Sequence, residues 1–183
     1  MKKKLSITEK TSYFLLSFFI IFILLFTSAE LLSVLKPLYL FEYSKYDVYE
    51  IEYVKDYDVS RVTDDIILYF ADITDDMNWR SFFKQREDHH MVDVKLLFKA
   101  GSYLRWIFII FAAILYKRLS DNKSFIRYYR NSFFAVMGTV GIISLLAGSN
   151  FSSAFLKFHQ ILFNNDNWLL DPSESIIINL MPQ

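Results

Sequence analysis

Two long blocks of uncharged, mostly apolar residues constrain the fold of this chain more than any other feature. The first, "YFLLSFFIIFILLFTSA", covers residues 13–29, and a helix through it can continue to Leu35. The second, "NSFFAVMGTVGIISLLAGSNFSSAF", covers residues 131–155. A helix needs about 20 apolar residues to cross the ~30 Å hydrocarbon core of a bilayer. Both blocks therefore predict membrane-spanning helices.

A weaker apolar block lies between these two. The run "WIFIIFAAILY", residues 106–116, is too short to span a bilayer alone, but reading back through "LLFKAGSYLR" supplies the missing length. This extension contains Lys99 and Arg105, whose side chains can snorkel to the interface or face a polar cavity. The sequence thus predicts three membrane-spanning helices.

The charged residues predict the orientation of these helices. Lysines precede the first helix and basic residues crowd the segment 117–130, whereas the segment 36–95 is rich in acidic residues. Because basic loops stay in the cytoplasm, the N-terminus is expected inside, and the first helix is expected to remain as an uncleaved anchor. The expected parts are a cytoplasmic N-terminus with helix one (1–35), an extracellular cap (36–95), helix two (96–118), a cytoplasmic loop (119–130), helix three (131–156) and an extracellular segment (157–183).

The extracellular cap is expected to contain short strands. Aromatic residues alternate at Tyr39, Phe41 and Tyr43, and a similar alternation runs over 48–53, which favours β structure. The stretch "SRVTDDIILYFADIT" predicts a short amphipathic helix, 75–90 predicts a loop or interfacial structure before helix two, and "DPSE" at 171–174 predicts a helix start. The expected fold class is a mainly α membrane protein with a small, partly β cap.

The stretch "REDHHMVDVK", residues 86–95, contains the first candidate site. Helical spacing places Glu87 and Asp93 near His90, and a carboxylate beside an imidazole can fix its tautomer and raise its basicity. His159 follows the third apolar block. A short loop joins helices two and three, so we expect them to be antiparallel neighbours with His90 and His159 close together. Polar groups that converge at a membrane face suggest a functional site.

Other interpretations of these residues remain open. The charges near His90 can be ordinary interface polarity, and in "NNDNW" Asn165 can hold an oxygen atom or a turn, while Trp168 suits the interfacial belt. A metal site needs three or four ligands, which here means both histidines and a carboxylate. The absence of cysteine excludes a disulfide scaffold and a cysteine nucleophile. A non-catalytic membrane sensor or partner-binding protein and a metal-dependent membrane hydrolase remain alternatives to an acid–base enzyme.

Two ordered motifs carry a resemblance to a known family. "REDHHMVDVK", and later "FHQILFNNDNWLLDP" followed by "LMPQ", resemble the lipoprotein intramolecular transacylase family of integral membrane proteins from low-GC Gram-positive bacteria. The likeness extends over nearly the whole chain in topology. The family is expected to continue past the "MPQ" position into a fourth spanning helix, where this chain stops.

The resemblance implies an acyltransferase of the cell membrane with its active site on the extracellular face. It implies transfer of the sn-2 acyl chain of a diacylglyceryl-cysteine lipoprotein to the α-amine of that cysteine, which yields a lyso-form lipoprotein. Diacylated lipoproteins and membrane lipid are the implied partners, with no nucleic acid, no cofactor and no metal. The resemblance makes His90 and His159 the catalytic pair, and the implied supporting residues are Glu87, Asp93, Asn165 and Trp168.

Overall fold

A computed structural model of the chain describes residues 5–74 and 83–181. All regular secondary structure in this part of the chain is helical, and no strand is present among the described residues. A short 3-10 helix, Val48–Glu50, follows the second α-helix. In chain order the α-helices are α1 (Ile7–Ser33), α2 (Lys36–Lys45), α3 (Val59–Phe70), α4 (Gln85–Leu119), α5 (Phe125–Ser149), α6 (Phe151–Leu162) and α7 (Ile176–Leu180).

Three of these helices are long and apolar enough to cross a membrane. They are α1 with 27 residues, α4 with 35 and α5 with 25. The three spanning helices expected from the sequence are thus present. Helix α4 begins eleven residues before position 96, so the loop expected up to residue 90 is wrong for 85–90, while 75–82 lie outside the described residues. The backbone N–H of Lys84 donates to Glu87 Oε2 at 2.8 Å, which is half of a capping box and starts the helix early.

The third apolar block forms two helices instead of the single helix expected over 131–156. Helix α5 ends at Ser149, and Asn150 leaves the helical region with φ −145° and ψ 72°. The side-chain oxygen of Asn150 then accepts a hydrogen bond from the backbone N–H of Ser153 at 3.2 Å. Asparagine is a favoured N-cap because its side chain satisfies a free N–H of the new helix. A polar cap inside an apolar run therefore starts α6.

One compact unit contains residues 5–28 and 100–158. Its core includes the fully buried Tyr13, whose ring lies 5.9 Å from that of Phe125 and 5.6 Å from that of Tyr128. Gly101 permits a close approach between α1 and α4, because a Cβ atom added there would collide with the ring of Phe26. Small residues at such contacts let helix backbones pack tightly in membranes.

A second compact unit contains residues 29–99 and 159–181, apart from the undescribed stretch. The strands expected at 39–43 and 48–53 are wrong, since α2 covers the first and the 3-10 helix with adjoining turns covers the second. Tyr39 and Tyr43 are four residues apart and share a helix face, with ring centroids 6.3 Å apart. Alternating aromatic residues also satisfy an i, i+4 helical pattern, so tertiary packing overrides the β preference.

The amphipathic helix expected around 60–74 is confirmed as α3. Asp58 caps it by accepting a hydrogen bond from the backbone N–H of Arg61 at 3.1 Å, and Val62, Ile66 and Tyr69 are buried. This helix contributes to a core of the second unit. Other buried members of that core are Tyr43, Val48, Val54, Val59, Phe83, Met91, Ile176, Ile177 and Leu180.

The helix start expected at 171–174 is wrong. Asp171 Oδ1 accepts hydrogen bonds from the backbone N–H of Ser173 at 2.9 Å and from its hydroxyl at 2.7 Å, which closes a local turn. Helix α7 begins at Ile176, with Ser175 as its N-cap. Aspartate hydrogen-bonds the backbone two residues on as readily as it caps a helix, so a turn competes with the helix here.

Candidate active site

The structure brings His90 and His159 together, as expected from the order of the helices. Their ring centroids lie 5.9 Å apart with an angle of 39° between the planes. His90 comes from the first turns of α4 and His159 from the last turn of α6, and each is only 8% exposed. The neighbouring His89 is exposed instead. Burial therefore separates the two adjacent histidines.

Aromatic side chains surround the histidine pair. The Phe163 ring lies 5.1 Å from that of His90, edge-on at 73°, and 5.6 Å from that of His159. The Trp168 ring lies 5.1 Å from that of His159 at 32°. Both aromatic residues are 8% exposed, so these rings help to keep water from the imidazoles.

Phe163 lies in the motif "FHQILFNNDNWLLDP" but was not among the predicted site residues. A usable signal was its position four residues after His159, which places both on one helical face. Its backbone N–H donates to the carbonyl oxygen of His159 at 2.9 Å, which fixes it at the end of α6. Phe163 thus contacts both imidazoles from one position.

The Nδ1 atom of His90 is buried and has no hydrogen-bond partner among residues 5–74 and 83–181. The large majority of buried polar atoms in proteins are paired, because leaving one unpaired costs roughly 1–3 kcal/mol. An unpaired ring nitrogen in a cluster of aromatic rings is therefore a candidate for proton transfer with a bound molecule.

Glu87 occupies a different place from the one expected. Its carboxylate is buried, and Oε1 accepts hydrogen bonds from Ser175 Oγ at 2.6 Å and from the backbone N–H of Ile177 at 3.1 Å. Its other oxygen accepts the Lys84 N–H that starts α4. Glu87 therefore links the beginnings of α4 and α7 and has no hydrogen bond to His90 within the described chain. Ser175 was not among the predicted site residues, although a serine directly before an apolar run is a typical helix N-cap.

Asp93 and Asn165, both predicted as supporting residues, are hydrogen-bonded to each other. Asn165 Nδ2 donates to Asp93 Oδ2 at 2.9 Å, and Asn165 Oδ1 accepts from the backbone N–H of Asn167 at 2.9 Å. The pair ties α4 to the loop that carries Trp168. The side-chain amide of Asn165 therefore orders this loop, three residues before Trp168.

No group of three or more histidine, cysteine, aspartate or glutamate side chains is arranged to hold a metal ion within the described ranges. The carboxylates near the imidazoles are engaged, Glu87 by three donors and Asp93 by Asn165.

A separate ion cluster lies near the first turns of α4. Lys95 Nζ and Lys99 Nζ lie 2.9 Å and 3.0 Å from Asp72 Oδ1, and Lys95 is 6% exposed. Hydrogen bonds from these two ammonium groups hold the pKa of Asp72 below its usual value. This cluster links α4 to Asp72, which lies two residues after the end of α3.

Comparison with known proteins identifies the family. The family model for "Lipoprotein intramolecular transacylase Lit" matches residues 14–183. No curated protein sequence matches the chain. The structure is similar to that of the membrane integral lipoprotein intramolecular transacylase Lit from Bacillus cereus, with a TM-score of 0.75 and 23% identity over 96% of this chain and 82% of that chain.

Two solved variants of the Bacillus cereus protein are similar as well. The variant with a histidine replaced by arginine gives a TM-score of 0.71 at 23% identity and covers 79% of that chain. The variant with a histidine replaced by alanine gives 0.73 at 22% identity and covers 80%. At these identities the likeness shows a shared fold, while the family model covers nearly the whole sequence. The chain therefore belongs to the lipoprotein intramolecular transacylase Lit family.

Proposed function

We propose that this protein moves the sn-2 acyl chain of a diacylglyceryl-cysteine lipoprotein onto the α-amine of that cysteine. The observation that carries the proposal is the buried pair of imidazoles, 5.9 Å apart, with an unpaired nitrogen on His90. Family membership supports a lipoprotein substrate for the same site.

The proposed reaction converts an ester to an amide without consuming water. The amine nitrogen attacks the ester carbonyl carbon, a C–N bond forms, and the bond from that carbon to the glycerol oxygen breaks. An α-amine has a pKa near 7.7–8.0, so a fraction is neutral and nucleophilic at neutral pH. One imidazole removes the proton that the attacking nitrogen must lose, and the other protonates the departing glycerol oxygen.

We assign the proton-accepting role to His90 and the proton-donating role to His159. The buried Nδ1 of His90 has no internal partner in the described chain, so a bound amine does not compete with a protein donor for this atom. His159 packs against Trp168, which restricts the orientation of its ring. The proton gained by His90 returns to solvent after the product leaves, and His159 regains its own.

Holding the two reacting groups together supplies a large part of the proposed catalysis. Amine and ester belong to one substrate molecule, so the attack is intramolecular once the substrate is oriented. The aromatic rings of Phe163 and Trp168 support water exclusion, which favours transfer over hydrolysis of the ester. The proposed roles of Glu87, Asp93 and Asn165 are to position the histidines through α4 and the loop before Trp168.

We place this chemistry at the extracellular face of a multi-pass protein of the cell membrane. Basic residues in the N-terminus and in the segment between α4 and α5 support a cytoplasmic location for both. The histidines then lie on the opposite side. The ester of a membrane-anchored lipoprotein lies at headgroup depth, where such a site can reach it.

Mass spectrometry of a lipoprotein N-terminus tests the proposal in cells with and without this protein. Expression should add lyso-form lipoprotein, and His90→Ala and His159→Ala should each abolish it while the variants accumulate in the membrane. His89→Ala is the matched control, because His89 is exposed and lies next to His90. Normal lyso-form production in both active-site variants would contradict the assignment, and no change on expression of the wild type would favour a non-catalytic protein.

A further inference from the structure

A cavity of about 490 Å³ lies in the second unit and is not lined by either histidine of the pair. Its size falls within the ~300–1,000 Å³ range of small-molecule sites. Helices α1 and α2 form most of its wall and the end of α7 completes it. Its lining residues are Ala29, Leu32, Ser33, Leu38, Tyr39, Glu42, Tyr43, Leu180 and Met181.

The wall of this cavity is mainly hydrocarbon, and Glu42 is the charged residue among its described lining side chains. Leu32, Leu38 and Met181 keep 48%, 37% and 40% of their surface exposed. The hydroxyl groups of the wall are engaged, since Tyr39 donates to the Ser33 carbonyl oxygen at 2.8 Å and Tyr43 shares a 3.1 Å hydrogen bond with Thr63. A ligand that covered these side chains would gain chiefly from burial of apolar surface.

The cavity is continuous with a helix suited to the membrane. Ala29, Leu32 and Ser33 belong to the last two turns of α1, which is long and apolar enough to span a bilayer. A hydrocarbon chain at this end of α1 can therefore pass from lipid into the cavity along an apolar helix surface. This continuity favours a lipid acyl chain over a soluble metabolite.

The cavity is connected to the histidine pair through α7. Leu180 and Met181 stand at the end of α7, and Ser175 at its beginning is hydrogen-bonded to Glu87, one turn before His90. Five residues of α7 and three of α4, at ~1.5 Å per residue, make roughly 12 Å of helix between the cavity wall and His90, and the contact between Ser175 and Glu87 joins the two pieces. An extended long acyl chain is of similar length.

We propose that this cavity binds the acyl chain that stays on glycerol while the other chain is transferred. The inference rests on the proposed function, because only that reaction divides the two chains of the substrate. The transferred chain must move from oxygen to nitrogen, so its binding region has to permit movement. The retained chain does not move, and holding it anchors the glycerol and fixes the ester relative to the imidazoles.

Leu38→Trp tests the proposal by filling the cavity, and Leu40→Trp is its matched control. Both leucines lie on α2 with 37% and 36% exposure, but only Leu38 lines the cavity. Synthetic diacylglyceryl-cysteine peptides would carry a constant transferred chain and either a palmitoyl or an octanoyl retained chain. Leu38→Trp should lower the palmitoyl-to-octanoyl ratio of kcat/KM by about tenfold, the effect of losing burial of two methylene groups. An unchanged ratio in Leu38→Trp, or an equal fall in Leu40→Trp, would overturn the proposal.

Photolabelling separates this proposal from the transfer reaction itself. The palmitoyl-retained peptide would carry a diazirine on that chain and would be added to the protein in phosphatidylglycerol vesicles. Crosslinks should map to residues 29–43 and 180–181, persist in Leu40→Trp and disappear in Leu38→Trp. If the wild-type protein is crosslinked at these residues but shows no transfer activity, the transfer reaction is refuted and the acyl-chain site is supported. Labelling elsewhere, or labelling of the cavity only by a diazirine phospholipid, would overturn the site even if transfer is observed.

Discussion

Glu87 and Ser175 are joined by a 2.6 Å side-chain hydrogen bond although 88 positions separate them in the chain. Both residues are almost completely buried, with 1% and 3% exposure. The same carboxylate accepts the backbone N–H groups of Lys84 and Ile177. One buried acceptor therefore holds the first turn of α4, one turn before His90, against the start of α7.

Glu87→Ala should destabilise the protein by about 2–5 kcal/mol, because it leaves buried donors without an acceptor. Ser175→Ala removes one of those donors and should cost less, about 1 kcal/mol. Unfolding of the purified variants in detergent measures both effects. The double variant should be more stable than the sum of the single losses predicts, since the serine hydroxyl has no acceptor once the carboxylate is gone. Strict additivity would show that this hydrogen bond contributes nothing.

Phe163→Ala should lower the rate of acyl transfer by about a hundredfold, since a displacement of ~1 Å in a reacting group is enough for such a loss. The effect should fall on kcat more than on KM, because Phe163 contacts the imidazoles and is proposed only to position them. Phe163→Tyr, which keeps the ring, should recover most of the rate. Phe158→Ala is the control, as this α6 phenylalanine is 53% exposed. Equal losses in the two alanine variants would contradict the positioning role.

Asp93→Asn should lower transfer by about threefold, because a neutral amide oxygen accepts the 2.9 Å hydrogen bond from Asn165 more weakly than the carboxylate does, and Asn165→Asp should lower it by about tenfold, because it removes the donor that orders the loop before Trp168. The first pairs two amides and the second pairs two carboxylates. Combining both changes restores one carboxylate and one amide across the same contact. The double variant should therefore regain activity in the lipopeptide assay. If the loss of activity in the double variant equals the product of the two single losses, the carboxylate must come from position 93.

Gly101→Leu should destabilise the first unit by about 1–3 kcal/mol, because the new side chain occupies the space of the Phe26 ring. Adding Phe26→Ala should restore part of the loss by vacating that space. Gly138→Leu is the control, since no described atom lies within 4 Å of a Cβ added at this exposed position of α5. Unfolding in detergent and accumulation in the membrane report both effects. Similar behaviour of the two glycine variants would contradict the close contact.

Asp72 should make the stability of the second unit depend on pH in the acid range. Its folded pKa lies below the usual 3.8 because Lys95 and Lys99 donate to its carboxylate. The stabilisation is present in full above the unfolded pKa and is lost as the pH falls through the lowered folded pKa. When the pH is lowered from neutral to below about 3.9, the melting temperature should fall less in Asp72→Asn than in wild type. Parallel curves would show that the ion cluster does not contribute.

The sequence alone indicated three helices long and apolar enough to cross a membrane, and the approach of His90 to His159. Uncharged runs long enough for a bilayer leave few alternatives, since an unpaired backbone in hydrocarbon is too costly. The short loop between α4 and α5 predicts that the two histidines lie close together, and the rings are 5.9 Å apart. The two ordered motifs were also sufficient to indicate the family that the family model identifies.

The helical form of the second unit, the division at Asn150 and the partners of Glu87 were decided only by the tertiary structure. Alternating aromatic residues satisfy both a strand and an i, i+4 helix face, and the helix is the form that buries Tyr43 in the core of the second unit, where its hydroxyl shares a hydrogen bond with Thr63. Spacing along α4 suggested that Glu87 serves His90, but a buried carboxylate binds the donors that the fold brings to it. Ser175 and Ile177 come from the far end of the chain, where no local pattern relates them to Glu87.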